Sequence, residues 1–379
     1  MVPSARHEKL PESEKMKALT IGSAMIDTIA IIESSRIERM TMLNAETSFL
    51  LLAEGHKTEA LEISTHTGGG AVNTAVAMAR LGVDVATLAK LGRDQRAETV
   101  LASLMQAGVS TRWIGRDERA ATGAAVMISS HERNAAIFTF RGANALLEDS
   151  DLKSDAFEVD LVHVSSLSNR SADRLPRILA ETKRTGAFLS TNPGIRQLSS
   201  RGVALQDALG NIDLLVVNKI EASALVPMIA GKIGEGGPPL GPDSEEPPGT
   251  LARQGLTGGG YHLGLRSFFT ALRDAGARYV LVTDGSAGAY LADRDLIRFC
   301  PAAPTTVAGT AGAGDAYAAT LATLLAEGRA PEDAMRAAAL NSAAVVAYVD
   351  TQSGLLGRAA LDAALAGSGG ALNVSQWRI

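Results

Sequence analysis

The chain has 379 residues, 46% of them apolar and 20% charged, enough to bury one large core. Its 36 basic and 41 acidic side chains leave a net charge of −5 without any long basic run, which argues against a nucleic-acid surface. Its single cysteine, Cys300, excludes an internal disulfide and a thiolate metal cage, and no uncharged apolar run reaches the roughly 18–20 residues of a bilayer span, so a reducing cytoplasmic setting is expected.

Residues 1–17 carry both charges and two prolines but no apolar h-region, and read as a flexible tail rather than a signal peptide. Residues 18–22 read as a short buried strand, with Asp27 just beyond it. Stretches within 29–65 alternate between apolar and polar, as in Leu61-Glu62-Ile63-Ser64, which predicts a half-exposed sheet. Gly68-Gly69-Gly70 opens a helix at 71–81, followed by a strand at 82–88 and a helix at 95–107. Alternation returns at 124–140, and the two regions read as one small β lid drawn from about 28–66 and 122–142. Strands at 160–165, 188–191, 213–217 and 278–283 then alternate with helices at 172–185 and 265–275, the pattern of a parallel sheet with helices on both faces. Residues 231–262 interrupt it with ten glycines and five prolines, and read as a mobile surface insertion. Alanine-rich helices at 315–327 and 332–349 follow, with Pro331 at the start of the second. The expected architecture is one α/β domain over 18–366, ended by a tail at 367–379.

Candidate chemistry sits in short turns at strand ends and helix starts. Gly312-Ala313-Gly314-Asp315 runs into a helix whose first N–H groups have no internal partner and whose dipole favours negative charge, a ready anion site. Asp315 at its mouth is placed to take a proton from an attacking hydroxyl while the amides stabilise a transferring phosphoryl group. The same residues also suit a tight turn with Asp315 as a helix cap. Gly68 to Asn73 is either a flexible turn or a substrate contact through Asn73. Asp27 is either a turn residue or a ligand contact at a strand's carboxyl end. Asn218 and Glu221, three residues apart, either cap a helix or orient hydrated Mg²⁺ and a phosphate. The turn Thr283 to Gly288 either holds a nucleotide or merely joins two strands. The sequence has no G-x-x-x-x-G-K-[ST], no G-x-G-x-x-G after the first strand, no G-x-S-x-G and no close histidine cluster.

Taken together and in order, Gly68-Gly69-Gly70-Ala71-Val72-Asn73-Thr74-Ala75 and Thr310-Ala311-Gly312-Ala313-Gly314-Asp315 resemble the two signatures of the ribokinase or PfkB family of carbohydrate kinases. Asn218…Glu221 and the Gly285…Gly288 turn lie between them, and the resemblance covers roughly 18–365. It implies a ribokinase-like fold, with a central, mainly parallel sheet flanked by helices and a small β-sheet lid that closes over the sugar and often serves in a homodimer. It also implies ATP-dependent phosphorylation of a hydroxyl on a sugar or sugar-like molecule. In that scheme Asp315 is the general base and the backbone of Gly312, Ala313 and Gly314 the anion hole. Asp27, Gly69, Gly70 and Asn73 contact substrate hydroxyls. Asn218 serves the phosphates, and Glu221 serves Mg²⁺ through water. Thr283, Gly285 and Gly288 belong to the ATP site, with Asn341 at the adenine.

Two alternatives accompany this reading. One is a nucleoside kinase, disfavoured by the few aromatics near the lid that could stack on a base. The other is a sugar- or nucleotide-binding regulator without catalysis, disfavoured by the intact Asp315. The chain departs from the family pattern at Gly309, where an Asp that helps bind K⁺ is usual, so little monovalent-cation dependence is expected. Met25 stands where ribokinases carry a substrate-binding Asn, and Ser165 and Ser166 where they carry a Glu, which points away from ribose. Arg141, in Phe140-Arg141-Gly142-Ala143-Asn144, suits either an acidic or phosphorylated substrate or an ordinary surface position.

Overall fold

The strand Lys17–Ile21 is buried from Ala18 onward because parallel neighbours flank it on both sides, Asp84–Leu88 and Leu161–Val164. This computed structural model describes residues 15–33, 38–41, 48–51, 55, 57–130, 135–241, 250–368 and 372–379. Nine strands form the main sheet. Asp84–Leu88, Lys17–Ile21, Leu161–Val164, Phe188–Thr191, Leu214–Asn218 and Tyr279–Thr283 run parallel in that order, which lines their carboxyl ends along one edge. Gly288–Ala292, Leu296–Pro301 and Ser375–Arg378 complete the sheet antiparallel.

Apolar residues alternate to both sides of these strands and build a core on each face. Leu19, Ile21, Val162 and Val164 meet the helices Leu175–Thr185, Lys219–Ile233 and Leu265–Asp274. Ala18 and Leu161 face the helices Gly70–Arg80, Ala313–Ala326 and Pro331–Val346. The alanines of the last two helices, such as Ala318, Ala322, Ala334 and Ala338, are fully buried. No helix among the described residues is long and apolar enough to cross a membrane.

The separate small sheet has the strand order Ala135–Phe140, Gly123–Ser130, Met25–Ile32, Ala60–Gly68. It begins at Met25, before the visible alternation, so Asp27 lies inside it, opposite His66 on the neighbouring strand, rather than in a turn after the first strand. The register puts Leu61, Ile63, Val126, Phe138 and Phe140 on one face and Asp27 on the other. Residues 34–37, 42–47, 52–54, 56 and 131–134 of the expected lid lie outside the described residues.

Three sequence expectations need correction. Residues 231–262 are not one structureless loop: they include the end of the helix Lys219–Ile233, the short helix Thr250–Gln254 and the hairpin Leu256–Gly258 with Tyr261–Leu263. Leu240, Leu251, Leu256 and Leu263 anchor that segment in the core, while 242–249 lie outside the described residues. The expected tail at 367–379 ends as a strand, because Ser375–Arg378 pairs with the sheet edge at Leu296–Phe299 and Trp377 packs against the core. Of the expected N-terminal tail, 1–14 lie outside the described residues and Lys17 already belongs to a strand.

Candidate active site

The helices Gly70–Arg80 and Ala313–Ala326 lie side by side and start at the carboxyl edge of the parallel strands. Each is preceded by a glycine in the left-handed region, Gly69 with φ 96° and Gly312 with φ 79°. A Cβ at Gly69 would lie 2.5 Å from the Ser23 carbonyl oxygen, and one at Gly312 2.7 Å from Thr351 Cβ, so both approaches require glycine.

The two helix starts meet through their side chains. Asn73 Nδ2 donates to Asp315 Oδ2 at 2.8 Å, and Asn73 Oδ1 accepts from Thr351 Oγ1 at 2.8 Å. Asn73 is therefore mainly a clamp on Asp315, with one Nδ2–H not engaged by it. Burial pushes the Asp315 carboxyl up to about 6; the Asn73 hydrogen bond opposes this and the charge of Asp27 adds to it. Burial likewise raises Asp27 to about 6, against the pull of His66. The Asp27 carboxylate lies over Gly68, where a Cβ would be 1.9 Å from Oδ2. Asn73 thus touches Asp315 directly, and Asp27 lies near enough for its charge to act on the Asp315 carboxyl.

At the start of Ala313–Ala326, the first helical bond runs from the Ala316 N–H to the Gly312 oxygen at 2.9 Å. Among the described residues, nothing accepts from the amides of Ala313, Gly314 or Asp315. A Cβ on Gly314 would meet no atom within 4 Å, so this glycine leaves open space above the helix end. Three free donors beside an acceptor carboxylate can hold an anion and take a proton at adjoining points.

Asn218 and Glu221 form the capping arrangement. Asn218 Oδ1 accepts from the Glu221 N–H and the Glu221 carboxylate accepts from the Asn218 N–H, each at 2.9 Å. Burial raises the Glu221 carboxyl, and the charge of Asp315 adds to the rise, so the two carboxyls are within electrostatic reach. Thr283 pairs with Asn218 across the sheet. In the turn that follows, Gly288 would place a Cβ 2.2 Å from the Cys300 carbonyl oxygen, whereas Gly285 faces open space. Asn341 does not join this group. It is fully buried, donating to Thr320 Oγ1 at 2.8 Å and accepting from the Leu356 N–H at 2.9 Å, so its side chain braces helices.

Sequence reasoning missed Ser23, Thr351 and Gln352. Ser23 receives the Gly70 and Ala71 amides, both at 3.1 Å, and Gln352 Nε2 donates to the Thr67 carbonyl at 3.0 Å. The polar run Asp350-Thr351-Gln352-Ser353 after a long apolar helix was the available signal.

The family of pfkB carbohydrate kinases matches residues 17–229 and 265–356, leaving out the glycine- and proline-rich segment between them. The deoxyribokinase of Salmonella typhi is 25% identical over 328 residues, which cover 86% of this chain and 94% of that relative. The ribokinase of Arabidopsis thaliana, solved with ribose and ATP, has the same fold, with a TM-score of 0.67 at 20% identity, over 93% of this chain and 99% of that one. The nucleoside kinase of Burkholderia thailandensis, solved with inosine, gives a TM-score of 0.68 at 18% identity, over 96% of this chain and 100% of that one. Matched along most of its length, the chain belongs to the pfkB family of carbohydrate kinases.

Proposed function

We propose that this enzyme transfers the γ-phosphoryl group of ATP to a hydroxyl of a sugar or sugar-like acceptor. The observation that carries the reading is Asp315, clamped by Asn73 at 2.8 Å beside three unoccupied helix-start amides. The acceptor hydroxyl lies between Asp27 and Asp315, with the backbone of Gly69 and Gly70 beneath it. As its oxygen bonds to the γ-phosphorus, Asp315 takes the proton and the bond to the β-phosphate oxygen breaks, its electron pair leaving with ADP. The amides of Ala313, Gly314 and Asp315 hold the negative phosphoryl oxygens in place of water. The turn Thr283–Gly288 and Asn218 line the nucleotide side.

No group of three or more acidic or histidine side chains among the described residues forms a metal cage. Glu221, whose carboxyl feels the charge of Asp315, would orient one water of a Mg²⁺ held mainly by phosphate oxygens and water. When bound, the ion would neutralise phosphate charge.

The test is ADP release with a panel of sugars and nucleosides, run with wild type and Asp315→Asn. Turnover that disappears in the variant while ATP still binds supports the assignment. Ligand binding without turnover across the panel would favour a regulator, and a variant with most of its kcat would remove Asp315 as the base.

The small sheet also supports a homodimer. Leu61, Ile63, Phe138 and Phe140 share one face and are 56%, 67%, 60% and 53% exposed, a contiguous apolar surface of the kind that marks association. Sedimentation of wild type as a dimer and of Ile63→Arg with Phe138→Asp as a monomer is the expected result.

A further inference from the structure

A polar hollow is lined by the residue that follows Ser165, a neighbour of the proposed reacting centre. Ser165 faces that centre: a Cβ on Gly70 would sit 2.6 Å from Ser165 Cβ and 3.7 Å from Asp315 Oδ1. The next residue, Ser166, lines a cavity of about 40 Å³ together with Arg141, Ser168 and Arg196. That is room for a small anionic head, not for a sugar ring.

Charge in this hollow is unbalanced. Arg141 follows the strand Ala135–Phe140 of the small sheet and is half-buried. Arg196 stands in the first turn of the helix Ile195–Ala208, where a cation opposes the helix dipole. Among the described residues neither guanidinium has a hydrogen bond or ion pair, whereas Arg201 in the same cavity is tied to Asp173 at 2.6 Å. Burial and then the like charge of Arg196 hold Arg141 below the usual arginine range. Independently, Ser168 is 7% exposed and its Oγ has no partner. An orphaned buried hydroxyl and a half-buried, unpaired guanidinium are each unfavourable until an acceptor anion satisfies them, and the exposed Arg196 sets a second cation beside them.

We propose that this hollow is an anion subsite of the acceptor pocket. The substrate is an anionic sugar whose carboxylate or phosphate is held by Arg141, Arg196 and Ser168 while a hydroxyl at its other end reaches Asp315. Guanidinium groups suit either anion, through paired N–H···O contacts. Because Arg141 directly follows a strand of the small sheet and Arg196 belongs to the body, the anion also bridges the two. The inference rests on the kinase reading, and two separate measurements keep their failures apart.

The first measurement is ADP release with matched sugars: glucose against gluconate and glucose 6-phosphate, and fructose against fructose 6-phosphate. A charged member should exceed its neutral partner in kcat/KM by about 10- to 100-fold, and the better of carboxylate and phosphate identifies the anion. Arg196→Ala, at an exposed position that does not threaten the fold, and Arg141→Lys should both lower that ratio, mainly through KM. Neutral sugars used as well as every charged partner, or a ratio unmoved by Arg196→Ala, would overturn the inference and leave the kinase reading intact. If no compound turns over, the kinase reading fails and thermal shift with the same compounds decides the subsite. Stabilisation by a charged sugar that is lost in Arg196→Ala supports it; no stabilisation refutes it.

Discussion

Both glycine-led helices follow a residue with positive φ, and they use their amides in opposite ways. At Gly70–Arg80 the first two N–H groups are taken by Ser23, through its hydroxyl and its carbonyl. At Ala313–Ala326 the first three donate to nothing among the described residues. A glycine-rich helix start is therefore not an anion site by composition; it becomes one when no neighbouring chain has already filled its donors. The first helix contributes rigidity and Asn73, and the second contributes the free donors and Asp315.

The largest expected effect breaks the second helix at its carboxylate. Asp315→Asn keeps the shape and the Asn73 contact but removes the proton acceptor. We expect kcat to fall by about 10²- to 10⁴-fold with ATP affinity nearly unchanged, read by steady-state kinetics and nucleotide titration. Loss of ATP binding in proportion to kcat would make Asp315 a nucleotide contact instead.

The next effect tests the contrast itself. Gly314→Ala adds a methyl where the protein has no atom within 4 Å, so the fold should tolerate it, gaining up to about 1 kcal/mol from helix propensity. The methyl would occupy the phosphoryl position, and kcat should fall by about 100-fold. Gly70→Ala meets Ser165 Cβ at 2.6 Å and Oγ at 2.7 Å, and should cost ~1–3 kcal/mol of stability by overpacking. Thermal denaturation beside kinetics separates the two glycines. Equal loss of stability in both variants would erase the distinction drawn between them.

The sequence showed much of the fold because its signals were local. Short, mostly apolar runs such as Leu161–Val164 and Leu214–Asn218 mark buried parallel strands, and both glycine signatures are contiguous. What it hid depends on distant pairing. The partners of Asn73 stand 242 and 278 residues away, so nothing around Asn73 announces that it clamps Asp315. Ser375–Arg378 has no strong strand pattern of its own and becomes a strand by completing the edge at Leu296–Phe299. Asn341 looked available, but whether its amide was occupied depended on Thr320 and Leu356. The turns could be located from sequence; the state of their donors required the packed structure.

The clamp between the helices should appear in the pH dependence. Asp315 and Asp27 are both raised to about 6 by burial, so the acid limb of kcat/KM should have its midpoint near pH 6 and belong to the pair. Asn73→Ala removes a hydrogen bond that favours the Asp315 carboxylate, and should move that limb to higher pH by about one unit. Stability runs the other way. The fold favours the protonated carboxyls, a contribution complete below pH 3.8 and lost as pH rises through about 6. Asp315→Asn should therefore raise Tm at neutral pH and give no gain below pH 3.8. An acid limb unmoved in Asn73→Ala would mean that the clamp does not set the base.

The smallest effect concerns the strand of chain leading into the second helix. Gly309 offers no side-chain ligand, and a Cβ there would lie 3.1 Å from the Tyr348 carbonyl oxygen and 3.2 Å from that of Val349. The space an aspartate would need is thus held by backbone, and the Gly309 N–H donates to the Val346 carbonyl at 3.2 Å. The helix start is braced by protein at this point, with Ser342 Oγ donating to the Ala313 carbonyl at 3.0 Å from the other side. Replacing K⁺ by tetramethylammonium at constant ionic strength should change kcat by no more than about twofold, the scale of a change that touches no specific contact. A loss of tenfold or more would show that carbonyls alone hold the ion here, and that the free amides at Ala313–Asp315 depend on a cation to stay in place.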